Sequence, residues 1–351
     1  MKLVSPLLKH LVYPVLSKSG HLRRTAQPGP VVVTYHGIFP AGYKQLSENL
    51  DGHLVTLDVF RRHMRLLKSK YNLISPLEFL GWLQGQAKCP PGSVLLTCDD
   101  GLLNVLTEML PVIVEMELRF LLFVTGASAS ESAPMLWYEK LYLWLQQGTR
   151  SARVELPGTR EYLLTAPYDP NAHWRPLIRT LSQFEADQRE QLLCKIRTQL
   201  GISENWDSEY SQNESLRRRF FVVNAAQLQE LKAAGMTIGA HALSHPMLSQ
   251  MPEELAYGEM VESRNRLEGV TGEKPWALAY PFGDREAVSE REPDLARRAE
   301  FQCAFINTEA EMADTHFAFP RIHVSSRTSV AELEAHVSGF YRSMRRCSKK
   351  L

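Results

Sequence analysis

The chain of 351 residues has no long hydrophobic run, no Cys-x-x-Cys spacing, no internal repeat, no low-complexity tract and almost no net charge. Each absence excludes something. Without an apolar stretch of about 18 residues, no membrane-spanning helix is expected. A formal net charge of +1 offers no general electrostatic footprint for nucleic acid. The five cysteines, Cys89, Cys98, Cys194, Cys303 and Cys347, are odd in number and scattered. They form no disulfide framework and suit a reducing compartment. The first residues carry Lys2, Lys9, Lys18, Arg23 and Arg24, but the short run Leu11 to Leu16 contains Pro14 and lacks a small-residue cleavage site. A cytoplasmic chain without a cleaved signal is expected. Residues 1–28 read as a basic N-terminal segment and 342–351 as a basic tail, which together allow peripheral contact with an anionic inner membrane face. A solvated terminal helix is the plainer alternative.

What is present is a composition of 44% hydrophobic and 23% charged residues, enough to bury a substantial core. The stretch around which the chain is organised is Val94-Leu95-Leu96-Thr97-Cys98-Asp99-Asp100-Gly101. Its apolar run predicts a buried strand that ends in two adjacent carboxylates. Neighbouring strand residues point to opposite sides, so Asp99 and Asp100 cannot share one geometric role. One can bind a metal while the other takes a proton; a plain Asp-Asp-Gly turn is the alternative. A second predicted strand, Met236 to Ala240, ends in His241-Ala242-Leu243-Ser244-His245. Two histidines four apart can converge on one cation, through a helical turn or a tight loop. One Asp with two His leaves a divalent metal with open positions, and that donor set suits zinc first, with cobalt, nickel or manganese as alternatives.

Further strands are predicted at Val31–Ile38, Tyr71–Ile74, Phe120–Thr125, Trp276–Tyr280, Cys303–Ile306 and Phe317–Val324. Amphipathic spacing predicts helices over 58–70, from Pro76, over 103–117, 227–235, from Pro252 and over 329–340. Strand–helix alternation of seven or eight units argues for an α/β barrel over 29–341. Over about 129–219 the strand–helix alternation breaks, and the segment reads as mostly helical. Its aromatics Trp137, Tyr138, Tyr142, Trp144 and Trp174 read as the segment's own small core or as a sugar platform. His36 ends the first strand as a Tyr-His pair, either near the site or merely packed there.

At this point the chain resembles the polysaccharide deacetylases with the NodB-homology domain, carbohydrate esterase family 4. Thr97-Cys98-Asp99-Asp100-Gly101 is similar to their Thr-Phe-Asp-Asp-Gly motif, and His241 to His245 to their His-(Ser/Thr)-x-x-His. Ala279-Tyr280-Pro281-Phe282-Gly283 echoes their Arg-x-Pro-Tyr. The resemblance implies a distorted (β/α)7-type barrel, in which the long separation of Asp100 from His241 marks 129–219 as a large, mostly helical insertion, and a metal-dependent enzyme that removes N-acetyl groups from N-acetylhexosamine units of a polysaccharide or its precursor. The implied setting is exopolysaccharide or cell-envelope biosynthesis.

The same resemblance implies the roles. Asp100, His241 and His245 hold the metal, Asp99 is general base, and the Phe282 N–H faces the oxyanion. His323 is the late candidate for general acid, and His36, Tyr280 and Pro281 lie toward substrate. Three departures stand out: Cys98 replaces an aromatic residue, Ala279 replaces the Arg that orients the catalytic Asp, and no Asp-x-x-Asp-Trp motif is present. Arg321, on another strand, is expected to supply the missing charge. A same-fold hydrolase of another amide or an O-acetyl ester, and a non-catalytic glycan-binding barrel, are the alternatives.

Overall fold

Short runs of β-branched and aromatic residues, each bounded by turn formers, build the strands of this protein. They are β1 (Val31–Tyr35), β2 (Asn72–Ile74), β3 (Ser93–Cys98), β4 (Phe120–Val124), β5 (Ala152–Val154), β6 (Tyr162–Leu164), β7 (Thr237–Ala240), β8 (Ala277–Ala279), β9 (Cys303–Phe305) and β10 (Arg321–His323). The computed structural model describes residues 8–20, 22, 29–132, 134–157, 162–165, 169–309 and 316–348. Lys2, Arg23 and Arg24 of the basic N-terminal segment, and Lys349 and Lys350 of the tail, lie outside them.

Seven strands pair in parallel in the order β10-β1-β3-β4-β7-β8-β9, and β2 adds to the first half of β3. The path nearly closes on itself: the Phe319 N–H donates to the Ala304 carbonyl at 2.8 Å, and Ile306 to Phe319 at 3.1 Å. Parallel neighbours require crossovers, and helices such as Leu57–Lys70, Pro76–Leu83 and Glu253–Thr271 supply them. This is the α/β barrel that the alternation argued for, in the distorted seven-stranded form that the resemblance implied.

The pleat decides which residues face the axis. Val32, Leu95, Leu121, Phe123, Ala277, Ala279, Cys303 and Phe305 form one buried cluster inside the barrel. Their odd-even partners Val33, Leu96 and Leu122 pack outward in the larger core. A Cβ at Gly239 would sit 2.5 Å from Phe123 Cδ1, so glycine there lets the phenylalanine ring fill the interior.

Several expectations shift at their boundaries, two of them at a proline. The helix expected over 103–117 is a π-helical turn, Val105–Met109, continuing as the α-helix Leu110–Glu115. Pro111 at its start has no N–H for the regular ladder. The strand expected at Phe317–Val324 contracts to Arg321–His323, because Pro320 cannot donate to it.

Between β4 and β7 the chain runs through the helices Trp137–Gln147, Pro170–Leu181, Ala186–Gln199, Ser208–Gln212 and Glu214–Phe220, and the β5–β6 hairpin. A buried charge cluster ties this segment to the barrel: Arg219 Nε lies 2.7 Å from Asp51 Oδ1, and its Nη2 lies 2.9 Å from Glu139. Most of the segment's aromatics form its own core. Trp144 meets Trp206 edge-on at 5.4 Å, and Tyr142 meets Trp174 at 5.0 Å.

Candidate active site at the barrel mouth

The strand register places the chemistry. Leu95 faces the barrel axis, so Thr97 and Asp99, two and four residues on, face it too. The Asp99 N–H continues the ladder to the Tyr35 carbonyl at 2.9 Å. The chain then reverses: Asp100 and Gly101 adopt φ of 70° and 65°. This turn swings the Asp100 carboxylate away from Asp99 and toward β7. A Cβ at Gly101 would lie 2.6 Å from Val124 Cγ1, so the turn requires glycine in conformation and in space.

His241 extends β7, its N–H donating to the Val124 carbonyl at 2.9 Å. Ala242 and His245 have φ of 58° and 60°, so a tight loop rather than a helical turn brings the two imidazoles together. Asp100 Oδ1 lies 3.4 Å from His241 Nε2 and 3.2 Å from His245 Nε2. His241 Nδ1 donates to the Ala279 carbonyl at 2.7 Å, which leaves the Nε2 lone pair facing the carboxylate. His245 Nδ1 is buried without a hydrogen-bond partner. Acceptor facing acceptor is repulsive, and a shared divalent cation satisfies it. The three ligand atoms lie within 4.8 Å of one another, so the residues fit such an ion.

Asp99 is held from the opposite side. Arg321 Nη1 donates to Asp99 Oδ1 at 2.7 Å and Nη2 to Oδ2 at 2.6 Å. Arg321 pairs with Val32 in the β1–β10 register, so it too points inward, between the Phe123 and Phe305 rings. Burial opposes ionisation of Asp99, but Arg321, then His241 and His36, outweigh it and hold the carboxyl below its usual range. At Asp100 burial is likewise outweighed, here by the adjacent imidazoles of His241 and His245, and its pKa falls well below the ordinary value.

Three histidines line the remaining wall. His36 Nε2 lies 3.7 Å from Asp99 Oδ2, and its ring meets His53 at 5.4 Å and His323 at 5.0 Å. Burial lowers the pKa of His36 and His53. The surrounding protein, with His36 beside it, lowers that of His323, whose exposed surface keeps it in contact with water.

Asp99, Asp100, His241, His245, His36, His323 and Phe282 converge on one cavity of about 230 Å³. Arg321 lies beneath it, against Asp99. Tyr280 and Pro281 do not line the cavity, contrary to expectation: Tyr280 sits in the core, its hydroxyl donating to the Phe317 carbonyl at 2.8 Å. Phe282 alone of that motif reaches the cavity wall, with φ of 62° and its ring 4.8 Å from His245. His53, Asn307 and Arg175 also line the cavity without having been singled out for it, as do Tyr138 and Trp174, two of the aromatics read as the segment's own core or as a sugar platform. His53 and Asn307 lie in loops with no period or motif, and only the aromatic richness of the segment around Trp174 hinted at its part. A larger cleft of about 460 Å³ lies behind Ser244 and contains none of these groups.

With this geometry in view, the chain's likeness to known proteins can be placed. Residues 202–304 match the polysaccharide deacetylase family, a stretch that contains His241, His245 and Phe282 but begins after Asp99 and Asp100. No curated protein matches the chain by sequence. The fold is similar to that of IcaB from Ammonifex degensii, at 17% identity over 89% of this chain and 98% of that one, with a TM-score of 0.54. It is similar to the Streptococcus pyogenes deacetylase PplD, solved with acetate, at 16% identity over 88% and 97%, TM-score 0.53. It is also similar to a de-N-acetylase from Aggregatibacter actinomycetemcomitans, at 13% identity over 87% and 98%, TM-score 0.51. The resemblance to NodB-type polysaccharide deacetylases therefore holds in a stretch of sequence and in the fold of nearly the whole chain.

Proposed function

We propose that this chain is a divalent-metal-dependent hydrolase that removes N-acetyl groups from N-acetylhexosamine units of a polysaccharide or its precursor, within exopolysaccharide or cell-envelope biosynthesis. One observation carries the reading. Asp99, clamped by Arg321, shares a cavity with the Asp100, His241 and His245 cluster. A buried ionised carboxylate beside a vacant-sided metal donor set is the pairing that hydrolysis of an acyl group needs.

A divalent cation held by Asp100, His241 and His245, with zinc first and cobalt, nickel or manganese as alternatives, supplies Lewis acidity toward a water and an acyl carbonyl. Asp99 accepts a proton from the attacking water, and Arg321 keeps it ionised and oriented until it does. The Phe282 N–H donates to the oxyanion as the water oxygen bonds to the carbonyl carbon. The carbon–nitrogen bond then breaks, and the amine leaves with a proton. His323, whose surface is in contact with water, donates that proton as general acid, and His36 lies between it and Asp99.

No helix among the described residues is long and apolar enough to cross a membrane. Leu11 and Val15, 59% and 64% exposed, project one turn apart from the basic N-terminal helical segment, which supports peripheral contact with a membrane face from a cytoplasmic location.

The test is metal content with acetate release from N-acetylglucosamine oligomers, wild type beside Asp99→Asn, His323→Ala and His241→Ala. Asp99→Asn should keep metal and lose turnover, His323→Ala should keep metal and slow, and His241→Ala should lose both. Acetate from O-acetyl esters alone would move the reading to an esterase. Oligomer binding without acetate release would make the chain a glycan-binding barrel.

A further inference from the structure

The helix Pro170–Leu181 is tied to segments on two sides of the barrel mouth. At its start, Asn49 Nδ2 donates to Asn171 Oδ1 at 2.5 Å. At its centre, Trp174 Nε1 donates to the Tyr138 carbonyl at 2.6 Å. Beside that, Arg175 Nη2 meets Asp284 at 2.6 Å and its Nε meets Glu286 at 3.1 Å, while Arg179 also pairs with Glu286. Asn49 belongs to the short helix Glu48–Asp51 in the segment that follows β1, and Asp284 and Glu286 to the loop that follows β8. Along the sheet, β3, β4 and β7 separate β1 from β8 one way, and β9 and β10 the other. Those segments therefore face each other across the mouth, and the helix Pro170–Leu181 spans it.

We infer that this strap sets the substrate class: the site takes the terminal sugar of a chain and excludes the interior units of a polysaccharide. The inference rests on the deacetylase reading above. An interior sugar needs an exit for the chain on both sides; the strap closes two opposite sides, and the helix Trp137–Gln147, tied to it through Trp174 and Tyr138, closes the side of β4 and β7, so a chain is left the side of β9 and β10 alone. Trp174, Arg175 and Ile178 form the roof over the metal cluster, and Asn49 the adjoining rim. The cavity beneath, about 230 Å³, lies below the roughly 300–1,000 Å³ typical of sites for drug-sized ligands, so one sugar with its acetamido group fills it. The Arg175 guanidinium lies 5.2 Å over the Phe282 ring, so the element that closes the roof also packs on the residue whose N–H faces the acyl oxygen.

The experiment uses the metal-loaded full chain with a pentamer of N-acetylglucosamine, the deacetylated positions read by tandem mass spectrometry. Wild type should lose a single acetate, at a terminal unit. The double variant Asn49→Ala/Arg175→Ala, which loosens both anchors at exposed or half-exposed positions, should gain products deacetylated at interior units. Interior products from wild type would overturn the inference and leave the deacetylase reading standing. Terminal products alone from both proteins would overturn the strap as the cause. No acetate from the pentamer or from the monosaccharide would overturn the deacetylase reading, and the inference with it. Folding of the variant is checked by its metal content, which should equal that of wild type.

Discussion

Arg321 and Asp99 meet fork to fork, both guanidinium nitrogens on both carboxylate oxygens, at 2.7 and 2.6 Å. The pair is dry, with Arg321 only 1% exposed. A buried bidentate pair of this kind fixes orientation as well as charge. Replacing Arg321 with Ala should cut kcat by on the order of 10²-fold or more, the scale of general-base contributions, and leave metal content unchanged. Stability should fall by about 3–5 kcal/mol, because Asp99 is left buried without its partner. Turnover and bound metal measured side by side check this, and unchanged turnover would sink the assigned role. Lysine at the same position should restore the fold better than the rate, since an ammonium cannot grip both oxygens.

The Asp100, His241 and His245 cluster predicts a metal-dependent melting temperature. At metal concentrations near 100 times Kd, wild type should gain about 2.7 kcal/mol over the chelated protein. His241→Ala and His245→Ala should lose most of that gain. Differential scanning calorimetry with zinc and with a chelator reads it directly. An equal gain in all three proteins would mean that the ion binds elsewhere.

Gly101 predicts a backbone-specific effect. Alanine there puts a methyl 2.6 Å from Val124 Cγ1 in a residue held at φ of 65°. The variant should lose about 1–3 kcal/mol and carry the Asp100 carboxylate out of line with the histidines. Denaturant unfolding and metal titration of Gly101→Ala report the two effects, and a variant with wild-type values in both would refute the argument.

The Arg219 cluster predicts a pH-dependent stability. One buried guanidinium faces two carboxylates, Asp51 at 2.7 Å and Glu139 at 2.9 Å, so one of them can stay neutral. Burial, only partly offset by Arg219, raises the Glu139 pKa to about 7. The folded state therefore holds a proton that the unfolded chain has released by the ordinary glutamate range, and stability should decline as pH rises from about 4.5 toward 7. Glu139→Gln should flatten that window. Unfolding free energies at several pH values for both proteins decide it, and parallel curves would place the effect on another group.

Much of the site was legible because its signals are local. Asp99 and Asp100 sit side by side after an apolar run, and pleating alone says that they diverge. His241 and His245 sit four apart after another such run. Arg321 was legible only as a charge in want of a place, because what joins it to Asp99 is the pairing of β10 with β1, a contact between residues 222 positions apart. Tyr280 was misjudged for a related reason: the motif suggested a ligand-facing ring, while the register turns that ring into the core and leaves Phe282 at the wall.

Alternation, spacing and turn chemistry, properties of neighbouring residues, determined the strands, the barrel class and the two ends of the Asp100, His241 and His245 cluster. Barrel closure decided the rest. Only when β10 pairs with β1 does Arg321 reach the axis, and only when the segment after β4 folds back over the mouth do Asn49, Trp174 and Arg175 surround one cavity. Contacts of that kind depend on the path of the whole chain, and no window of sequence contains both partners.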